Sequence, residues 1–113
     1  KYLPADLLQR QPRCAATLLM GCSSGELRTH GDLAPAGMAL AYLHARCPAL
    51  VANLWDVTDG ESDRLTGALL RSCTAGGPLL DGLVKARSAC RLRFLTGAAA
   101  VCYGVPLDFL RCD

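Results

Sequence analysis

Leu18-Leu-Met-Gly-Cys-Ser-Ser-Gly-Glu-Leu27 is an apolar run that stops at a cysteine set among small residues. In an α/β protein, ligands bind at the carboxyl ends of buried parallel strands, and small neighbours let a backbone or substrate come close. Cys22 therefore reads as a candidate nucleophile at a strand end. Asn53-Leu-Trp-Asp-Val-Thr-Asp59 repeats the pattern downstream, an apolar run breaking into polar residues. A thiol and several carboxylates at two strand ends imply one cleft.

The chain has 113 residues, enough for one ordinary domain. It is 51% hydrophobic and 19% charged, a core-rich composition that excludes disorder. Its net charge of +2 is too small to argue for nucleic acid. Ala98 to Cys102, among the longest apolar runs, is far short of a membrane span. Asp6, Arg10 and Arg13 break the opening stretch, so no signal peptide is read there. Seven cysteines are many for this length. They include no Cys-x-x-Cys pair, and most sit in apolar surroundings, as structural thiols in a reducing cytosol or nucleus would. No metal-ligand spacing is present, and nothing asks for a cofactor.

The pattern predicts a short helix over Pro4 to Gln11 with Leu7 and Leu8 inward, then a buried strand from Cys14 to Gly21. Ser23 to Leu33 reads as a loop, and a largely apolar helix follows from Pro35 to Arg46. Ala49 to Leu54 is a second strand, compact in the manner of parallel sheets. Asp59 is placed as the N-cap of a helix with Leu65, Ala68 and Leu69 inward. Gly76-Gly77-Pro78 breaks the chain before a helix from Leu79 to Cys90, and Ala98 to Tyr103 is a candidate third strand. The order is that of an α/β sheet. So many apolar helices on so few strands indicate part of a larger domain.

Met20-Gly-Cys-Ser-Ser-Gly25, Asn53-Leu-Trp-Asp-Val-Thr-Asp59 and Asp63 resemble the catalytic domain of the separase family, caspase-like cysteine proteases. The Gly31-to-Gly37 segment, Cys47-Pro48, Lys85-Ala-Arg87 and Gly97-Ala-Ala through Tyr103-Gly-Val-Pro106 extend the resemblance over nearly the whole chain. It implies an α/β fold, the C-terminal portion of a caspase-like three-layer domain with a mainly parallel sheet. Residues 1–113 would then be a C-terminal fragment of a separase-like protease domain. The family pairs its cysteine with a histidine in a Gly-His-Gly strand end, upstream of the nucleophile as in caspases. Counting back from Cys22 runs past Lys1, so the chain is expected to begin after that histidine and to be inactive alone.

The resemblance implies that Cys22 is the nucleophile and that its backbone N–H serves the oxyanion hole. It also implies arginine specificity, and a guanidinium needs carboxylate oxygens for its fork of donors. Asp63, one turn into a helix, is the first choice for that wall. Asp56 follows, with Trp55 offering a flat face, while Asp59 suits a helix cap better than a ligand. Loop and cap acids facing water are the alternative for all three. His30 reads as a loop residue and His44 as a helix-surface residue. Lys85, Arg87, Arg91 and Arg93 form a basic patch that suits a helix C-terminus. The implied substrate is the kleisin subunit of cohesin, cut at anaphase. The implied partners are a securin-like inhibitor and the remainder of the separase chain, in cytoplasm and nucleus. Two alternatives stand beside this, a CHAT-type caspase-like protease and an inactive protease-like binding module.

Overall fold

Ala49-Leu-Val-Ala-Asn53 is buried at every residue, so both faces of this strand are covered and it lies at the centre of the sheet. The computed structural model describes residues 4–30 and 33–111. The elements run α1 (Ala5–Gln9), β1 (Thr17–Leu19), β2 (Arg28–His30), β3 (Leu33–Ala36), α2 (Met38–His44), β4 (Ala49–Asn53), α3 (Asp59–Ala75), β5 (Gly77–Pro78), α4 (Leu79–Ala86), β6 (Ala100–Gly104) and β7 (Asp108–Phe109). Short 3-10 turns at Arg87–Ala89 and Gly97–Ala99 flank the stretch between α4 and β6. Among the described residues no helix is long and apolar enough to cross a membrane.

Strand alternation sends the side chains of β4 into two cores. Ala49 and Val51 pack with Leu65, Leu69, Leu79, Leu83 and Ala86 of α3 and α4. Leu50 and Ala52 pack with Ala39 of α2 and with Cys47 on the other face. Helices thus cover the sheet on both sides, the three-layer arrangement expected of the sequence. Leu8 of α1 joins Ala41 and Ala45 in a smaller cluster, while Leu7, expected inward, is exposed.

The sheet order is β1-β4-β6, and its pairing is mixed. β1 lies parallel to β4, with Leu18 opposite Val51, as the single crossover through α2 requires. β6 runs antiparallel, with Val51 opposite Cys102. Two helices separate β4 from β6, so the chain goes out along α3 and returns along α4 to the edge it left. The Leu54 N–H donates to the Ala99 carbonyl at 2.8 Å where it re-enters. Gly104 ends this strand at φ 119°, where a Cβ would collide with the Pro48 carbonyl.

Several boundaries differ from the sequence pattern. The expected loop contains β2, paired antiparallel with β3. Its residues Arg28-Thr-His30 carry no apolar alternation to announce a strand. Pro35 lies in β3, so α2 begins at Met38. α4 stops at Ala86, and β5 pairs with β7 as a two-residue ladder too short to leave a periodicity. His30 ends β2; the expectation for its side chain, like those for Lys1 to Leu3, lies outside the described residues.

Parallel pairing brings the carboxyl ends of β1 and β4 to one sheet edge, and Asn53 ties them there. Its backbone N–H donates to Ser24 Oγ at 3.2 Å, and its carbonyl accepts the Gly25 N–H at 2.7 Å. Its side-chain Nδ2 donates to the Met20 carbonyl at 3.3 Å. The residue is 2% exposed, so these bonds replace water entirely. Gly25 is required by the same closeness, since a Cβ there would stand 3.0 Å from the Ala52 Cβ. Asn53→Ala leaves the Met20 carbonyl with one donor fewer and should lower unfolding free energy by about 2 kcal/mol in urea titration.

Candidate active site

Cys22 follows β1 within the turn that Asn53 anchors, and its side chain is exposed. The thiol Sγ donates to the Val57 carbonyl at 3.5 Å, so sulfur lies against the segment that leaves β4. Ser23, next in the chain, holds φ at 51°, in the left-handed region that β-substituted residues rarely adopt. Its hydroxyl donates to Asp56 Oδ1 at 2.6 Å, a charge-assisted bond that stabilises this unusual conformer. Ser24 Oγ donates back to the Leu19 carbonyl, and the Tyr103 hydroxyl donates to the Gly25 carbonyl at 2.8 Å. All three sheet strands thus contribute a bond to the cysteine turn. Among the described residues the Cys22 backbone N–H meets no backbone acceptor.

The acids lie on the facing segment. Asp56 is exposed, with one oxygen already held by Ser23. Asp59 occupies the first turn of α3 rather than the N-cap; Thr58, in an extended conformation, takes the cap position. The Glu61 and Ser62 N–H groups donate to the Thr58 carbonyl at 3.1 and 3.0 Å. The chain is extended at Thr58 and turns helical one residue earlier than the acidic pattern indicates. Asp59 and Asp63, four residues apart, share one flank of the helix. It is the flank beside Ser62, whose Oγ donates to the Met20 carbonyl at 3.3 Å. Asp63 is exposed, and among the described residues its carboxylate has no hydrogen-bond or ion-pair partner. Trp55 is 39% exposed, and its indole N–H donates to the Leu95 carbonyl at 3.1 Å. Cys22 and Ser23 are therefore joined to Val57 and Asp56 at one sheet edge, Asp59 and Asp63 follow on the helix that leaves it, and the Trp55 indole turns to the Leu95 carbonyl.

Glu61 faces the other flank of α3 and is only 12% exposed. Its Oε2 accepts the Arg91 N–H at 2.8 Å and the Thr96 hydroxyl at 3.0 Å, while Arg64 Nε approaches Oε1 to 3.5 Å. Desolvation opposes its charge. Hydrogen bonds from Thr96 and Arg91, with the Arg64 charge, outweigh that effect and hold the carboxyl below its ordinary 4.5. A groove of about 320 Å³ lies between α3 and the 91–96 segment, lined by Thr58, Glu61, Arg64, Arg91, Leu92 and Thr96 among others.

Burial pushes the thiols of Cys47, Cys73, Cys90 and Cys102 up, so they are poor nucleophiles. His44 is exposed in the last turn of α2. Arg87 does not belong to the basic surface patch. It is half-buried, and its guanidinium donates to the Ala100 carbonyl at 2.9 Å. The sequence pattern missed Ser24, Ser62, Tyr103 and Glu61. Only Asn53 carried a signal, as the single polar residue of an otherwise apolar strand.

Comparison with known proteins gives a consistent result. The family model described as the protease domain of separin matches residues 1–61, just over half of the chain. The separin of Schizosaccharomyces pombe is 46% identical over 94% of the chain, and that of Mus musculus 44% over 96%. The crystal structure of the Saccharomyces cerevisiae separase–securin complex superposes with a TM-score of 0.87 at 34% identity, covering 96% of the chain. The chain spans 6% and 5% of the length of the first two relatives and 8% of the crystallised one. Fold, cysteine turn and relatives agree: the chain belongs to the separin protease-domain family.

Proposed function

We propose that this chain supplies the nucleophile and the arginine-binding wall of a separase-type cysteine endopeptidase. The observation that carries the reading is the exposed Cys22 thiol at the end of β1, against the backbone of the acidic segment after β4. Membership in the separin family supports it over a CHAT-type protease.

In this reading a histidine from the remainder of the protein takes the Cys22 proton. The thiolate then leaves the Val57 carbonyl and attacks the scissile peptide carbonyl. The Cys22 N–H, free of a backbone acceptor, donates to the oxyanion that develops. Substrate arginine extends along the Trp55 face toward Asp63, whose carboxylate is free to take the guanidinium. Asp56 is half committed to Ser23 and supports the turn more than it binds. Asp59 lies at the rim. The substrate is the kleisin subunit of cohesin, cut after arginine in the cytoplasm and nucleus at anaphase. A securin-like protein restrains the enzyme, as the partner in the yeast crystal structure suggests.

Three outcomes are expected. In the full-length protein, Cys22→Ser should reduce kleisin cleavage by about a thousandfold or more, with the fold intact by circular dichroism. Cleavage retained by that variant overturns the assignment. Asp63→Ala should lower kcat/KM for arginyl peptides by about a hundredfold, the scale of one lost charge-assisted contact. Unchanged kinetics would move arginine recognition to Asp56 or Asp59. The 113 residues alone should hydrolyse no peptide, and measurable turnover would promote His30 to general base.

A further inference from the structure

Glu61 takes no part in the chemistry above, yet it makes more polar contacts than any other carboxylate among the described residues. Two of those contacts, to Arg91 and Thr96, converge on one loop. Cys90 before it and Gly97 after it are buried, but Leu92, Phe94 and Leu95 face solvent, Phe94 at 86% exposure. A loop with its apolar residues outward gains almost nothing from packing, so polar anchors decide where it lies. Glu61 Oε2 takes the Arg91 N–H at one end and the Thr96 hydroxyl at the other. The carboxylate therefore closes the loop at its base. The third anchor joins the loop to the candidate cleft, where the Trp55 indole N–H donates to the Leu95 carbonyl. Trp55 is partly exposed, so this bond orients the ring only if its acceptor stays in place.

We propose that Glu61 is a positioning residue for the arginine-binding wall. By stapling the 91–96 loop it holds the Leu95 carbonyl where the Trp55 indole needs it, and so fixes the ring beside Asp56 and Asp63. The inference rests on the function proposed above and adds a residue to it. Glu61 does not touch the substrate. Its effect falls on how tightly arginine is held, and the step at sulfur is left unchanged.

The test uses the full-length protein with Glu61→Ala, Glu61→Gln and Thr96→Val, each alone and combined with Trp55→Phe. Hydrogen exchange across residues 91–96 reads the loop, and steady-state hydrolysis of an arginyl peptide reads the site. Glu61→Ala should speed exchange in the loop and raise KM about tenfold, with kcat within about twofold. Glu61→Gln, which keeps one acceptor oxygen, should fall between. In the Trp55→Phe background the further rise on Glu61→Ala should vanish, because both residues act through one ring. Thr96→Val removes the hydroxyl's contacts to Glu61 and to the Leu92 carbonyl while leaving the α3 sequence intact, and should raise KM about threefold, which covers the case of a misfolded Glu61→Ala. A released loop with unchanged KM overturns the inference, as does a full effect in the Trp55→Phe background. Unmodified protein that hydrolyses no arginyl peptide, or hydrolyses it equally as Cys22→Ser, instead defeats the underlying function and the inference with it.

Discussion

One buried amide holds this architecture together at its working edge. Asn53 closes β4 and spends its backbone N–H, its carbonyl and its side-chain amide on the turn that follows β1. Parallel strands place their carboxyl ends together but do not by themselves join the loops that leave them. A polar residue in an apolar strand is costly unless every donor is used. Here the cost is met by bonds that bring Cys22 to the chain leaving β4. The sulfur reaches the Val57 carbonyl because Met20, Ser24 and Gly25 are already tied down.

The cysteine turn is held from several sides, as its conformation demands. Ser23 lies in a backbone region that a side chain makes unfavourable by about 1–2 kcal/mol. Asp56 beneath its hydroxyl offsets part of that and links the turn to the acidic segment. The arrangement divides labour among the acids. Asp56 is structural on one oxygen, Asp63 has no partner among the described residues, and Glu61 serves a different loop on the far flank of α3. Cysteine is sorted in the same way. Burial raises the Cys47 and Cys90 thiols, while among the described residues Cys22 is the exposed cysteine, and it lies at the sheet edge.

What could be read along the chain was what depends on local pattern. The apolar runs Cys14 to Gly21 and Ala49 to Leu54 announced two strands, and the glycines and prolines marked the breaks; the second is buried throughout, whereas the first shortens to Thr17–Leu19 and is only half-buried. The strand Arg28–His30 was not legible, since its residues are polar on both faces and its partner is a segment containing Pro35. The antiparallel sense of β6 was equally hidden. It follows from the number of helices packed between two strands, not from anything in Ala100-Val-Cys-Tyr-Gly104.

The site divides along the same line. Sequence alone determined that a thiol and a set of carboxylates end two apolar runs, because both features are written in contiguous residues. It carried no sign that Glu61 reaches Arg91 and Thr96, or that Tyr103 reaches Gly25. Those contacts join residues far apart in the chain, and side-chain hydrogen bonds of that range exist only after the layers have packed. Tertiary structure also decided which arginine turns inward, withdrawing the half-buried Arg87 from the basic surface to the Ala100 carbonyl. The physical reason is common to all of them. Local periodicity chooses the elements, but the partner of a polar group is set by distance in space, which a linear pattern does not encode.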